Sequence, residues 1–335
     1  AVREKVDAAG LYGTRICVEC WPYDRIPYSD YFANLIVSET VVAGGMLMIE
    51  ADPVVRMLKP LGGTALTRLH ANIPEAADGV RQWAAESAIG QCLSVEVSGD
   101  WAKIVRGALP GAGSWTHLYA NASNTACGDD TAVKSPLGVL WFGSPGPGEM
   151  LSRHQRAAGP LSVDGRMFIQ GENVLMAHDI YNGVRLWHRK LAGAKRANAS
   201  HDGSNLALNS DGLFAAIGDH CLRIDPQSGE TLAAYEFPEA DDNTNRRWIY
   251  TALNGDLLYG SRSAGSLSSD RVFAVEIDGG KHRWVYEGKR IASNAMAIGN
   301  GTVFLIDTNV TPEHREQAVE AQRGRIGLLP EAERA

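Results

Sequence analysis

The 335-residue chain is 44% hydrophobic and 21% charged, which argues against a disordered polymer and leaves room for two buried cores. A net charge of −7 with no basic run argues against nucleic acid or an anionic membrane surface as the main partner. No apolar stretch approaches the roughly 18 residues a membrane helix needs, so no membrane span is expected.

The front of the chain, residues 1–107, alternates helix and strand patterns. Residues 2–13 read as a helix ending on glycines, and RICVEC (15–20) as a short apolar strand. The proline-rich WPYDRIPY is a loop before a strand in ANLIVSE (33–39). ADPVVRMLK (51–59) reads as a helix stopped by Pro60 and the Gly62-Gly63 pair. TALTRL is the next strand, residues 74–89 a helix, and LSVEVSGDWAKIVRG a hairpin turning at Gly99-Asp100. This alternation predicts a mostly parallel sheet with an antiparallel addition at its end.

Five cysteines are scattered along the chain: Cys17, Cys20, Cys92, Cys127 and Cys221. Cys17 and Cys20 form a C-x-x-C, but no second such pair or histidine pair completes a metal site, and both fall on a strand pattern rather than at a helix start. Structural thiols are expected, with no disulfide framework.

From residue 108 onward helical periodicity nearly vanishes and a repeat takes over. A turn dipeptide opens a strand at Asp164-Gly165, Asp211-Gly212, Asn254-Gly255 and Asn300-Gly301, so the glycines are spaced by 47, 43 and 46 residues. An acid four residues before a glycine follows each of the first three: Asp179 and Gly183, Asp225 and Gly229, Glu276 and Gly280. Trp187 and Trp284 stand four residues beyond the glycine in two copies, with Ala233 in the third. A period in the forties with two hairpin turns and a late aromatic predicts four-stranded propeller blades. One small sheet cannot bury both its faces, so such sheets stack, and a large aromatic at a fixed place fills the gap between neighbours. The acid and glycine shape the tight turn between the third and fourth strands, a structural role.

The last 25 residues break the repeat, and within them Glu313–Arg323 reads as a polar helix inserted in a blade. About 200 residues at roughly 45 each give four to five blades, fewer than a closed ring of this kind takes, so residues 108–335 are expected to form an incomplete propeller within a longer protein.

Two resemblances bear on function. IPYSDYFANLIV, together with Arg56-Met57-Leu58-Lys59-Pro60-Leu61-Gly62-Gly63, resembles the C-terminal portion of class I S-adenosylmethionine-dependent methyltransferases. That likeness implies the second half of a Rossmann-like α/β domain over residues 1–107, with one residue inserted before the glycines. It places Asp24, Ser38 and Glu39 nearest the implied cofactor and substrate pocket. The glycine loop and second-strand acid that would grip S-adenosylmethionine are absent from these residues, so no cofactor is expected here, although the full-length parent would be a methyltransferase on this reading. Ser38-Glu39 replaces the element used by amino-group methyltransferases, which disfavours that substrate class.

The rear half resembles the propeller repeats named after pyrroloquinoline quinone. The two halves in this order resemble large bacterial proteins that join a methyltransferase-like domain to such a propeller, most specifically at Trp101–Gly107, Trp115-Thr116-His117, Asn124-Thr125-Ala126, Val139-Leu140-Trp141 and Arg153-His154. The resemblance implies a binding or scaffold role, with a protein or small-molecule ligand on the propeller face. Quinone-dependent oxidoreduction is the weaker alternative, since no adjacent cysteine pair or calcium-type acid cluster is visible.

Among titratable groups, His117, His154, His201 and His220 are the candidate acid–base or metal residues, with Asp129, Asp130 and Asp202 as carboxylate partners. The plainer expectation is that these histidines bond loop backbone. Trp101, Trp115 and Tyr119 carry too much apolar surface for a flexible tether, so residues 101–126 are expected to pack the two halves together.

Overall fold

A computed structural model describes residues 1–38, 49–69, 75–144, 146–150, 159–194, 205–238, 246–263 and 268–327. The chain divides into two compact units, one of Ala1–Ala112, Asp130–Gly143 and Ile180–Val184, the other of Gly113–Asp129, Ser144–Asp179 and Arg185–Ala335. None of the described helices is long and apolar enough to cross a membrane.

The first unit opens with helix α1 (Val2–Ala8), which stops before Gly10 at φ +68°. Its sheet follows the order β1-β2-β4-β3, formed by β1 (Leu35–Ser38), β2 (Thr64–Arg68), β3 (Leu93–Ser98) and β4 (Trp101–Arg106). β1 and β2 run parallel, while β4 is antiparallel to both β2 and β3. The antiparallel hairpin is present with Gly99 at φ +59° in its turn, but only one of the three strand pairs is parallel. Helix α3 (Ala76–Ala85) buries Ala76, Val80 and Ala84, of which Ala76 and Val80 pack with Leu58, Ala65, Ala102 and Ile104.

Two expectations for this unit are corrected. RICVEC forms no strand beyond an isolated bridge between Tyr12 and Ile16. Local bonds win there: the Leu11 carbonyl accepts the amides of Thr14, Arg15 and Ile16, which closes a turn where a strand would need a neighbour. The helix expected over 51–59 is the single turn α2 (Asp52–Val55). Beyond it the chain straightens into a parallel bridge between Ala33 and Leu58, so Lys59 donates its amide to Ala33 rather than back along a helix.

Among the described residues the second unit carries three antiparallel four-stranded meanders. The first comprises β5 (Leu161–Val163), β6 (Arg166–Gly171), β7 (Val174–Asp179) and β8 (Arg185–Lys190). The second comprises β9 (Leu206–Asn209), β10 (Gly212–Ile217), β11 (His220–Ile224) and β12 (Thr231–Tyr235). The third comprises β13 (Trp248–Asn254), β14 (Leu257–Ser263), β15 (Ser268–Glu276) and the opening stretch of β16 (His282–Gly299). β16 then continues without a break to pair with β17 (Thr302–Asp307), the opening hairpin of a fourth repeat. After β17 the chain enters the polar helix α4 (Pro312–Gly327).

The first strands of successive repeats, β5, β9, β13 and the end of β16, are neighbours and so form the inner edge of the stack. β7, β10 and most of β13 are buried along their length because both sheet faces are covered, whereas the last strands β8 and β12 are largely wet. Apolar cores fill the gaps between consecutive sheets. Phe168 and Leu161 meet Leu206 and Leu213, then Phe214 and Tyr235 meet Trp248 and Leu258, then Tyr250 and Tyr259 meet Met296 and Ile298. This is a β-propeller arrangement, as the repeat predicts.

Candidate functional site

The repeats share a register down to single residues. Ala177 pairs with Trp187, Arg223 with Ala233 and Ala274 with Trp284, and in each sheet the register shifts at the next residue, one before the acid. Trp187 and Trp284 therefore occupy equivalent places. Each outer aromatic also meets an aromatic of its own second strand at nearly one spacing: Phe168–Trp187 at 6.0 Å, Phe214–Tyr235 at 6.1 Å and Tyr259–Trp284 at 6.0 Å.

The outer aromatic also joins one sheet to the next. The Trp187 indole N–H donates to the Pro226 carbonyl at 3.1 Å, and its ring lies against Gly229, whose φ of +77° suits glycine. In the following sheet the Tyr235 hydroxyl donates to the Ile277 carbonyl at 2.8 Å, beside Gly280. The first unit holds the same arrangement, with the Trp141 indole donating to Ile180 at 2.8 Å and its ring pressed on Gly183. The acceptor is the residue after the repeat's acid in every case. In the second sheet the acid shapes this turn: the Asp225 carboxylate accepts the amides of Ser228 at 2.9 Å and Gln227 at 2.6 Å, and these bonds hold its pKa below the usual carboxylate range.

Residues 115–124 are hydrogen-bonded to the inner strand of every repeat described. The last ladder pairs of the four inner hairpins are Val163–Arg166, Asn209–Gly212, Asn254–Leu257 and Gly299–Thr302. The residue before each pair, Ser162, Leu208, Leu253 and Ile298, therefore stands at one position in four repeats. All four amides donate to this single segment: Ser162 to the Trp115 carbonyl at 2.9 Å, Leu208 to Thr116 at 3.0 Å, and Ile298 to Ala122 at 2.8 Å. Leu253 donates instead to Nε2 of His117 at 2.9 Å. Ser123 Oγ and Asn124 Nδ2 then donate to the carbonyls of Ile298 at 2.7 Å and Met296 at 2.6 Å.

His117 is thus a side-chain substitute for a backbone carbonyl. Because Nε2 accepts an amide hydrogen, the ring proton sits on Nδ1, 2.8 Å from Thr116 Oγ1, and that hydroxyl donates on to Ala120 at 3.3 Å. Burial pushes the His117 pKa down to about 4, and accepting an amide favours the same neutral form.

The other candidates separate. His220 bonds its neighbour Asp219 at 3.0 Å at the surface, Asp129 accepts the Ser114 amide at 2.8 Å, and Asp130 caps the amides of Ala132 and Val133. Asp24 is exposed and ion-paired to Arg25 at 3.7 Å, and Ser38 closes β1 opposite Thr67. Among the described residues no hydrogen bond or ion pair links Asp24 to Ser38, and no group of three His, Cys, Asp or Glu is placed to hold a metal ion. Glu39, His154, His201 and Asp202 lie outside the described residues. Cys17, Cys20 and Cys127 are exposed free thiols, and Cys221 is a buried one. Trp101 begins β4 in the first unit, and Trp115 pairs with Ser162 in the second.

Sequence reasoning missed Tyr235, which performs in the second sheet the role of Trp187 in the first. The strand period could have found it, because Ala233 and Tyr235 share a face.

Comparison with known proteins agrees with this architecture. The model of the family described as outer membrane protein assembly factor BamB matches residues 138–326, a stretch that starts just before Trp141. No curated protein matches in sequence. Among solved structures, the quinohemoprotein alcohol dehydrogenase of Comamonas testosteroni is 14% identical, covering 52% of this chain and 27% of that one, at a TM-score of 0.38. The quinohemoprotein alcohol dehydrogenase ADHIIG of Pseudomonas putida HK5 is 16% identical over the same shares, 52% and 27%, at 0.39. BamB of Moraxella catarrhalis is 11% identical, covering 38% and 39%, at 0.29. This chain therefore spans 27% of the length of each dehydrogenase.

Proposed function

The chain belongs to the BamB-type family of PQQ-like propellers, and on that premise we propose that it is a binding or scaffold protein whose propeller sheets present a docking surface to a protein partner. The observation that supports this reading is where the repeat's polar groups are engaged. His117 holds the Leu253 amide, Trp187 the Pro226 carbonyl, Tyr235 the Ile277 carbonyl and Asp225 its own turn. These groups hold sheets together, and the surface that remains is the wet outer strands, with Leu186, Leu232 and Tyr286 exposed.

On the same reading residues 1–107 are a partial methyltransferase-like domain with no S-adenosylmethionine site of their own. The parallel β1–β2 pair, entered through Arg56–Gly63, is the observation that favours a methyltransferase ancestry, and an active methyltransferase in a longer parent is the alternative function. Quinone-dependent oxidoreduction is the weaker alternative.

One experiment separates the three. A photo-crosslinking residue at 186, 232 or 286 in the cellular protein is expected to yield one defined protein adduct. Calorimetry with S-adenosylmethionine and with pyrroloquinoline quinone is expected to show no saturable binding. Micromolar binding of either ligand without a protein adduct replaces the scaffold reading by the corresponding enzyme.

A further inference from the structure

Four equivalent backbone amides, one per repeat, end on a single ten-residue segment, and three of their acceptors are carbonyls that no ordinary pH can titrate. The fourth is an imidazole. We propose that His117 is an acid-operated latch: uncharged, it fastens residues 115–124 to the third sheet through the Leu253 amide; charged, it lets that amide go and loosens the segment from the third sheet. The proposal holds whatever partner the protein binds.

The chemistry follows from the donor count. A neutral imidazole has one donor and one acceptor nitrogen, and here the acceptor faces a backbone N–H. Protonation at Nε2 places a second N–H against that donor, so an attraction becomes a repulsion, and Leu253 N–H is left buried without a partner. Thr116 Oγ1 can still accept from Nδ1, so the break falls on the third sheet alone.

Among the described residues, the inner strands supply no carboxylate to compensate the charge. The inner strands Leu161–Val163, Leu206–Asn209 and Ile291–Gly299 carry no titratable side chain, and Trp248–Asn254 carries only Tyr250, itself buried. His117's own segment adds Tyr119. Asp164, Asp211 and Asp256 stand in the turns after the inner strands, and burial lowers the ring's affinity for a proton. His117 is 6% exposed, so a proton enters only as the segment lifts, which couples protonation to release.

The test is hydrogen exchange read by mass spectrometry on the full chain between pH 7 and 3.5, corrected for intrinsic rate. In the wild type, protection of peptides covering 115–124 and 250–256 is expected to fall at least tenfold through a midpoint near 4, while the peptide covering 213–217 keeps its protection. His117→Gln keeps a side-chain acceptor that does not titrate, and it is expected to abolish the midpoint. Because that variant could fail to fold, nitrogen NMR of histidine-labelled wild type gives an independent readout. The His117 ring is expected to stay neutral at pH 6 and to gain its proton together with the loss of protection. A ring titrating near 6.5, an unchanged midpoint in His117→Gln, or protection lost uniformly over all sheets at one pH overturns the latch.

Discussion

Trp187 and Gly229 form a contact that tolerates no added atom: a Cβ built at Gly229 would stand 2.9 Å from Cδ2 of the indole, which also donates to Pro226 at 3.1 Å. Replacing Gly229 by alanine combines a left-handed backbone penalty with overpacking against a ring held in place. The expected loss is about 2–4 kcal/mol. Gly218, at φ +64° with open space around it, is the control, and Gly218→Ala is expected to cost only about 1–2 kcal/mol. Urea midpoints of the two variants decide, and equal costs refute the packing argument.

The same reasoning extends to Trp141, whose ring presses on Gly183 and whose N–H reaches Ile180. Trp141→Phe removes the donor and leaves most of the ring, so a loss of about 1 kcal/mol is expected, while Trp141→Ala is expected to cost about 3 kcal/mol or more. Trp187→Phe should behave like Trp141→Phe if the two residues do one job. Denaturant unfolding of the three variants compares them directly.

His117 predicts a stability dependence on pH with a definite sign. Its folded value of about 4 lies below the ordinary histidine value, so between the two the unfolded chain binds more protons than the folded one. The contribution is complete above about pH 6.5, declines as pH falls and is gone below about 4, a total of roughly 3 kcal/mol. Unfolding free energies at pH 7 and 4.5 should differ more in the wild type than in His117→Gln. A His117→Gln difference as large as the wild type's contradicts the assignment.

The cysteines should react in three classes. Cys17, Cys20 and Cys127 are exposed and are expected to label within minutes with a maleimide, and half-buried Cys92 more slowly. Cys221 is fully buried, burial pushes its thiol pKa up, and it should label only on unfolding. Mass spectrometry of timed samples counts the adducts, and early modification of Cys221 would show that the second sheet opens.

Much of the propeller was legible because its turns use residues with few alternatives. Asp164 at φ +47° and Asn300 at φ +51° sit where only glycine, asparagine and aspartate are comfortable, so the repeat shows in the sequence. The strand expected at Arg15–Cys20 failed because sequence pattern reports side-chain preference and not the neighbour a strand needs. The bonds to residues 115–124 were invisible for a different reason. Three of the four acceptors are backbone carbonyls, which any residue supplies, and the bonds cross up to 176 positions between Ala122 and Ile298. His117 alone leaves a mark in the sequence, and its type suggested acid–base chemistry as readily as a bond to loop backbone.

β16 runs 18 residues without a turn, as the outer strand of the third sheet and then the inner strand of the next repeat. A beam shared between two modules transmits load. Tension applied through α4 would pass along β17 into β16 and reach the ladder with β15, where successive hydrogen bonds share the force in shear. The third and fourth repeats should therefore yield together in a pulling experiment. The first and second, joined through the separate strands β8 and β9, have no such member and can give way in succession.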